Sequence, residues 1–169
     1  IIGKSKGDSD GVISYAEGFK INYSTPGLNF SDVSYLMGLK PEGVLKLGGQ
    51  TAGDSNGATI DMNSSGDGLW LSDFYLGRAQ WGLRYRKGDL FFDKMQGQIK
   101  NSTYKADLKI DVNKNEITID GAMPFIDIED LLSVFQRKVV LPVAVTGTGS
   151  AALHASGPLD FSHLSYKLA

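Results

Sequence analysis

Apolar and polar residues alternate with period two along most of the chain. From Ala79, the positions Ala79, Trp81, Leu83 and Tyr85 share one side, and Gln80, Gly82, Arg84 and Arg86 share the other. From Lys105, the apolar Ala106, Leu108, Ile110 and Val112 alternate with the charged Lys105, Asp107, Lys109 and Asp111. Asn113-Lys114 turns the chain, and Ile117 and Ile119 resume the alternation against Glu116, Thr118 and Asp120. Phe19, Ile21 and Tyr23 alternate with Lys20, Asn22 and Ser24. Leu141, Val143 and Val145 keep phase with Ala151, Leu153 and Ala155. Successive side chains of a strand point to opposite faces, so each run predicts a strand with one dry and one wet face. Such strands belong to antiparallel sheets with one solvated side. The 21 glycines are spread along the chain and bound runs of about five to nine residues, the punctuation of short strands joined by turns.

One segment has a different period. Ile128, Leu131, Leu132 and Phe135 fall at i, i+3, i+4 and i+7, a helical stripe. Asp127 can cap the first turn, and Glu129 and Asp130 suit the positive end of the helix dipole. Arg137 and Lys138 suit the other end. The spacing predicts one short amphipathic helix near 127–137, with its apolar face on the sheet interior.

A phrase also recurs along the chain. Gly27-Leu28-Asn29-Phe30-Ser31-Asp32-Val33-Ser34-Tyr35 resembles Pro158-Leu159-Asp160-Phe161-Ser162-His163-Leu164-Ser165-Tyr166. Gly68-Leu69-Trp70-Leu71-Ser72-Asp73-Phe74 is a third copy, and Gly88 to Met95 a weaker fourth. The spacing is irregular, so this is a reused module of one sheet and not a strict solenoid repeat.

Length bounds the chain to a single β domain over 1–169, with 169 residues and 18.2 kDa. The chain begins Ile1-Ile2-Gly3, without Met or signal peptide, and is expected to be a segment of a longer protein. The net charge of −2 argues against nucleic acid as a partner, because phosphate binding needs a basic surplus. It argues equally against strong attraction to anionic head groups. The absence of cysteine excludes a disulfide framework, a zinc ribbon and a thiol nucleophile. No apolar run approaches bilayer length.

Candidate chemistry is sparse. His154 and His163 each stand alone, outside any metal-ligand spacing, and His154 is expected to be a solvated residue on a polar strand face. Gly147-Thr148-Gly149-Ser150-Ala151 lacks the lysine of a phosphate loop, and its small residues suit a bending strand. Asp111-x-Asn113-x-Asn115 has Glu116 where a calcium loop needs glycine, so it reads as a hairpin turn. Asp8-x-Asp10-Gly11 also reads as a turn. There is no Gly-x-Ser-x-Gly elbow. No catalytic residue, metal site or cofactor is assigned, and the chain is not expected to be an enzyme.

The C-terminal half resembles the AsmA-like superfamily, and within it the TamB-type translocation and assembly module. The resemblance rests on Gly121-Ala122-Met123-Pro124-Phe125 leading into Ile126-Asp127-Ile128-Glu129-Asp130-Leu131-Leu132. It continues in Val145-Thr146-Gly147-Thr148-Gly149-Ser150-Ala151-Ala152-Leu153-His154-Ala155-Ser156-Gly157-Pro158-Leu159. It extends over about Gly66 to Ala169, with motifs that are short and degenerate. The resemblance implies an elongated, curved, antiparallel-rich sheet, groove-like or incompletely closed, in the periplasm of a diderm bacterium, its parent anchored in the inner membrane. It implies transport of phospholipid between the membranes and outer-membrane biogenesis. Trp81, Leu83, Tyr85, Ala106, Leu108, Ile110, Val112, Ile117, Ile119, Leu141, Val143, Val145 and Leu153 are then the expected lining for acyl chains. Ile128, Leu131, Leu132 and Phe135 are the dry face of the helix. The aromatics Trp70, Phe74, Tyr75, Trp81, Tyr85, Phe91 and Phe92 are expected to narrow the groove. Two other readings stand beside this one: an adaptor that takes client strands of outer-membrane proteins at an open sheet edge, and a barrel or sandwich that fills its own core. Two copies covering each other's dry faces is the alternative fate of an exposed apolar surface.

Overall fold

A computed structural model describes residues 5–34, 40–135, 137, 145–159 and 163–169. The strands are β1 (Lys6–Ser14), β2 (Gly18–Asn29), β3 (Pro41–Asp54), β4 (Gly57–Leu71) and β5 (Phe74–Arg86), followed by β6 (Asp89–Ile99), β7 (Ser102–Asp111), β8 (Glu116–Asp127), β9 (Thr148–Pro158) and β10 (Ser165–Leu168). A 3-10 turn, Phe30–Val33, follows β2, and one helix, α1 (Ile128–Val134), follows β8. The strands form a single ten-stranded sheet in sequence order, every neighbour antiparallel. It does not close into a barrel, and β1 and β10 are its edges. The protein is thus mainly β, as the alternation predicts.

Apart from the four-residue β10, the strands are longer than the glycine spacing suggests, running from 9 residues in β1 to 15 in β4. Glycines fall inside strands as well as between them, and several sit beside bulges. Every even-numbered strand from β2 to β8 carries an extra residue against both neighbours, between Thr25 and Leu28, Gly66 and Leu69, Phe92 and Met95, and Met123 and Ile126. A bulge bends its strand and sharpens the twist. Gly68 (φ +63) sits in the β4 bulge in a backbone conformation that costs only glycine nothing. Gly97 has a different reason to be small. A Cβ there would lie 2.0 Å from the ring of Tyr104, its cross-strand partner. The ring lies over the glycine and donates its hydroxyl to the Leu76 carbonyl at 2.9 Å.

Direct pairs connect the strands in straight rows. One row runs Ser9, Tyr23, Gly49, Met62, Leu83, Phe92, Leu108, Ile119, Ala155 and Tyr166, one residue from each strand. The next row contains Gly11, Ile21, Thr51, Ile60, Tyr85, Leu90, Ile110, Ile117 and Gly157. Paired residues point to the same side, so the register stacks the apolar positions of all ten strands on one face. This straightness also explains why the sheet stays open. Closing ten strands at the usual tilt needs a stagger of about ten residues around the circuit. Tyr166 is level with Ser9, and shifting it that far carries it beyond either end of β1.

Close packing is concentrated at the end where the even strands exit. Phe30, Leu45, Leu69 and Ala79 form a buried cluster, with Leu28, Leu76, Trp81 and Tyr104 packed against it. Ile99 and Ile126 are buried at the same end.

Candidate functional site

The candidate site is the apolar face beyond this packed end. Trp81, Leu83, Tyr85, Ala106, Leu108, Ile110, Ile119 and Leu153 are half-buried on it, and Ile117 is buried. Iso-facing neighbours absent from the expected lining are Ile21, Tyr23, Ile60, Met62, Leu90 and Phe92, which the pairing brings into the same rows. Their own alternation could have found Ile60 and Met62, between Thr59, Asp61 and Asn63. The face is sheltered in its middle and bare at its margins. Ile13 on β1 is 79% exposed, and Tyr166 and Leu168 on β10 are 73% and 67% exposed.

Several positions depart from expectation. Val112 lies one residue past β7, in the turn, where its amide bonds the Gly88 carbonyl, and it is 55% exposed. Val145 is half-buried but lies in no strand, since β9 starts at Thr148. Leu141 and Val143 lie outside the described residues. Phe91 cannot line the apolar face, because its neighbour Phe92 does. It sits on the polar side between its direct partners Arg84 and Lys109, whose cationic groups lie 5.3 and 5.5 Å from the ring centroid. Trp70 and Tyr75 pair with each other, their rings 4.9 Å apart, near the packed end. Asp8-x-Asp10 lies inside β1 and makes no turn. Asp111 to Glu116 is the hairpin turn that was expected, with the Lys114 amide on the Asp111 carboxylate at 3.0 Å.

Helix α1 begins as predicted. The Asp127 side chain accepts the Glu129 amide at 3.1 Å. The helix is shorter than expected, seven residues, and its most buried side chain is Asp130, at 2% exposure. The apolar stripe of Ile128, Leu131 and Leu132 is only half-buried, and Phe135 is partly exposed with its edge on Phe74. Asp130 goes inward because the β6–β7 turn presents unpaired donors. Its carboxylate accepts the amides of Asn101 and Ser102 at 2.8 and 2.9 Å and the Ser102 hydroxyl at 3.0 Å. Ser102 in turn accepts the Asp127 amide at 2.8 Å. All three bonds fall on Oδ2, and the Lys100 ammonium lies 3.8 Å from Oδ1, so the buried charge has both hydrogen-bond donors and a cation, which is the condition for burying it. Past the helix, Arg137 grips Glu42 of β3 through two hydrogen bonds, of 2.6 and 3.0 Å, and lies 3.7 Å over the Trp70 ring. From β8 to β3 the helix and its extension therefore bar one end of the sheet.

The reverse face carries Asp61, Arg84, Arg86, Asp93, Asp107, Lys109 and Asp120. Arg84 pairs with Asp93, Arg86 with Asp61 and Lys109 with Asp89. His154 belongs to this face, exposed, with Nδ1 2.7 Å from Asp120. A depression of about 700 Å³ lies here too, where Lys46, Ser65, Gln80, Gln96 and Lys105 face out near the bulges. Among the described residues no group of three or more His, Cys, Asp or Glu side chains could hold a metal ion, and no helix is long and apolar enough to cross a membrane.

Burial pushes the Tyr104 hydroxyl up to about 12. The hydrogen bonds from Arg137 hold the Glu42 carboxyl below its ordinary value. The Lys114 amide does the same to Asp111.

Comparison with protein-family models, with curated proteins and with solved structures finds no match to the chain. The geometry of the sheet itself therefore carries the functional argument.

Proposed function

We propose that this chain is a segment of a hydrophobic β-surface that carries phospholipid across the periplasm between inner and outer membranes, in support of outer-membrane biogenesis. The observation that carries the reading is the apolar face aligned across ten strands, over which, among the described residues, only one end has a helix laid across it. A protein that uses such a face only as its own core needs a second layer on it. Acyl chains supply that layer. Each methylene taken from water contributes about 0.8 kcal/mol, and non-directional contacts let a chain slide along the rows. The rows extend about 43 Å across nine strand spacings, with the charged reverse face left in water.

The competing reading is an adaptor. It is favoured by the two unpaired edges, which can accept a client strand through main-chain hydrogen bonds. The test is to purify the chain without detergent, extract it with organic solvent and analyse the extract by mass spectrometry. Phospholipid at a stoichiometric level supports the conduit, and Leu83→Asp or Ile110→Asp then abolishes transfer between vesicles, while Lys20→Glu on the wet face does not. A lipid-free extract from a folded monomer removes the conduit reading and leaves the adaptor.

A further inference from the structure

We propose that the two edges of the sheet join copies of this chain head to tail, β10 of one copy pairing antiparallel with β1 of the next. The inference does not depend on what the apolar face binds.

Strand direction permits it. The sheet alternates direction at every step, and ten is even, so β1 and β10 run opposite ways. Joining them within one chain is blocked by the straight register described above. Joining two chains needs no stagger at all.

The side chains select the same contact. Val12 and Ile13 on β1 and Tyr166 and Leu168 on β10 are all more than two-thirds exposed, the most exposed large apolar residues within the described strands. Ile13, Tyr166 and Leu168 stand on the apolar face, so pairing covers them and continues its rows into the next copy. On the other face β1 carries Lys6, Asp8 and Asp10, and β10 carries Lys167. None of the ion pairs among the described residues uses these four. Pairing β10 with β10 sets lysine beside lysine, and pairing β1 with β1 about Asp8 sets acid beside acid. β10 against β1 places Lys167 opposite an aspartate across the new ladder with Lys6 outside the span of β10, and like charges directly opposite are unfavourable.

One register fits best. With Lys167 opposite Asp10, Tyr166 falls opposite Gly11, Leu168 opposite Ser9, and Ser165 opposite Val12. A tyrosine then covers a glycine, as Tyr104 covers Gly97 within the sheet. Gly11 has no room for a side chain, since a Cβ would lie 2.4 Å from the Lys20 carbonyl oxygen. The contact is heterologous and does not close, so it grows with concentration. Because β10 has only 4 residues, the association is weak and is best trapped covalently.

The chain has no cysteine, so one introduced thiol reports one contact. Val12→Cys and Ser165→Cys alter exposed edge positions and are to be checked for folding by circular dichroism. Mixing the two single variants under mild oxidation is expected to give a dimer several-fold above either variant alone, and the double variant a ladder of oligomers. Adding Lys167→Glu to the Ser165→Cys chain is expected to lower the yield severalfold, and adding Asp8→Lys and Asp10→Lys to the Val12→Cys chain to restore it. Disulfides within Val12→Cys alone, a monomeric internal disulfide in the double variant, or no cross-link from accessible thiols in any mixture would each overturn the proposal. So would a yield indifferent to the charge reversals.

Discussion

The two ends of the strands use the same period-two sequence and reach different results. At the packed end, Leu45, Leu69 and Ala79 are buried beneath Phe30 and its neighbours. Further along the same sheet, Met62, Leu83, Phe92 and Leu108 are only half-buried. The residue types are alike, and the register treats them alike. What differs is the presence of something to pack on. The 3-10 turn after β2, the bulges and α1 fold back over one end, and no described element folds over the other. Alternation specifies which face is dry, and only the connections decide whether a dry face becomes core or surface.

Substitutions along single strands test that contrast. Leu69 is wholly buried, so Leu69→Ala is expected to cost about 3–4 kcal/mol in urea denaturation. Removing the carboxylate that docks the helix comes next. Asp130→Ala strands two backbone amides and a hydroxyl, at about 2–3 kcal/mol, and Asp130→Asn is expected to recover part of it. A loss below about 0.5 kcal/mol for Asp130→Ala would mean that the helix is not what holds that end together.

Tyr104 extends the contrast to alkaline pH. Its hydroxyl titrates near 10 when unfolded and near 12 in the fold, because burial penalises the phenolate. The group therefore contributes stability that is fully present below pH 10 and is lost as pH rises toward 12. The total is at most about 3 kcal/mol, two units at about 1.4 each. Tyr104→Phe is expected to flatten this part of the pH–stability curve. On the open part of the face, Leu108→Ala is expected to cost only about 1 kcal/mol, yet to weaken any bound acyl chain. A cost equal to that of Leu69→Ala would show that the face is covered in solution.

The smallest effect is at the tether of the helix. Arg137 holds the Glu42 carboxyl below its ordinary value. Its contribution is thus present above the unfolded value near 4.5 and is lost as pH falls through the lowered folded value. Both side chains are exposed, and exposed pairs contribute little. Thermal melts between pH 6 and 3 should show a slightly shallower decline for Glu42→Gln than for the parent.

Much of the fold was legible in the sequence. The clean runs at Ala79–Arg86, Lys105–Asp111 and Glu116–Asp120 gave strands with the right faces, and Asp127 marked the helix start. Strand lengths were not legible, because a glycine that ends a strand and one that sits at a bulge look alike in sequence. Phe91 and Phe92 are adjacent and equally apolar, so only the pairing shows which faces inward. The inward docking of Asp130 was not legible for a related reason. Its partners, the amides of Asn101 and Ser102, are 29 and 28 residues away, and backbone groups leave no mark in a sequence. The face proposed to bind lipid was legible as a set of alternating residues, and its continuity was not, since continuity belongs to the register.

The straight register has a consequence for how such a protein can change over generations. In a closed barrel the strand count, tilt and diameter are locked together, so adding strands disturbs every neighbour. Here a hairpin duplicated or deleted between any two strands restores both directions and returns every row to level. Length becomes a free variable, adjustable two strands at a time, and the distance the face spans can be tuned by counting hairpins without redesigning a core.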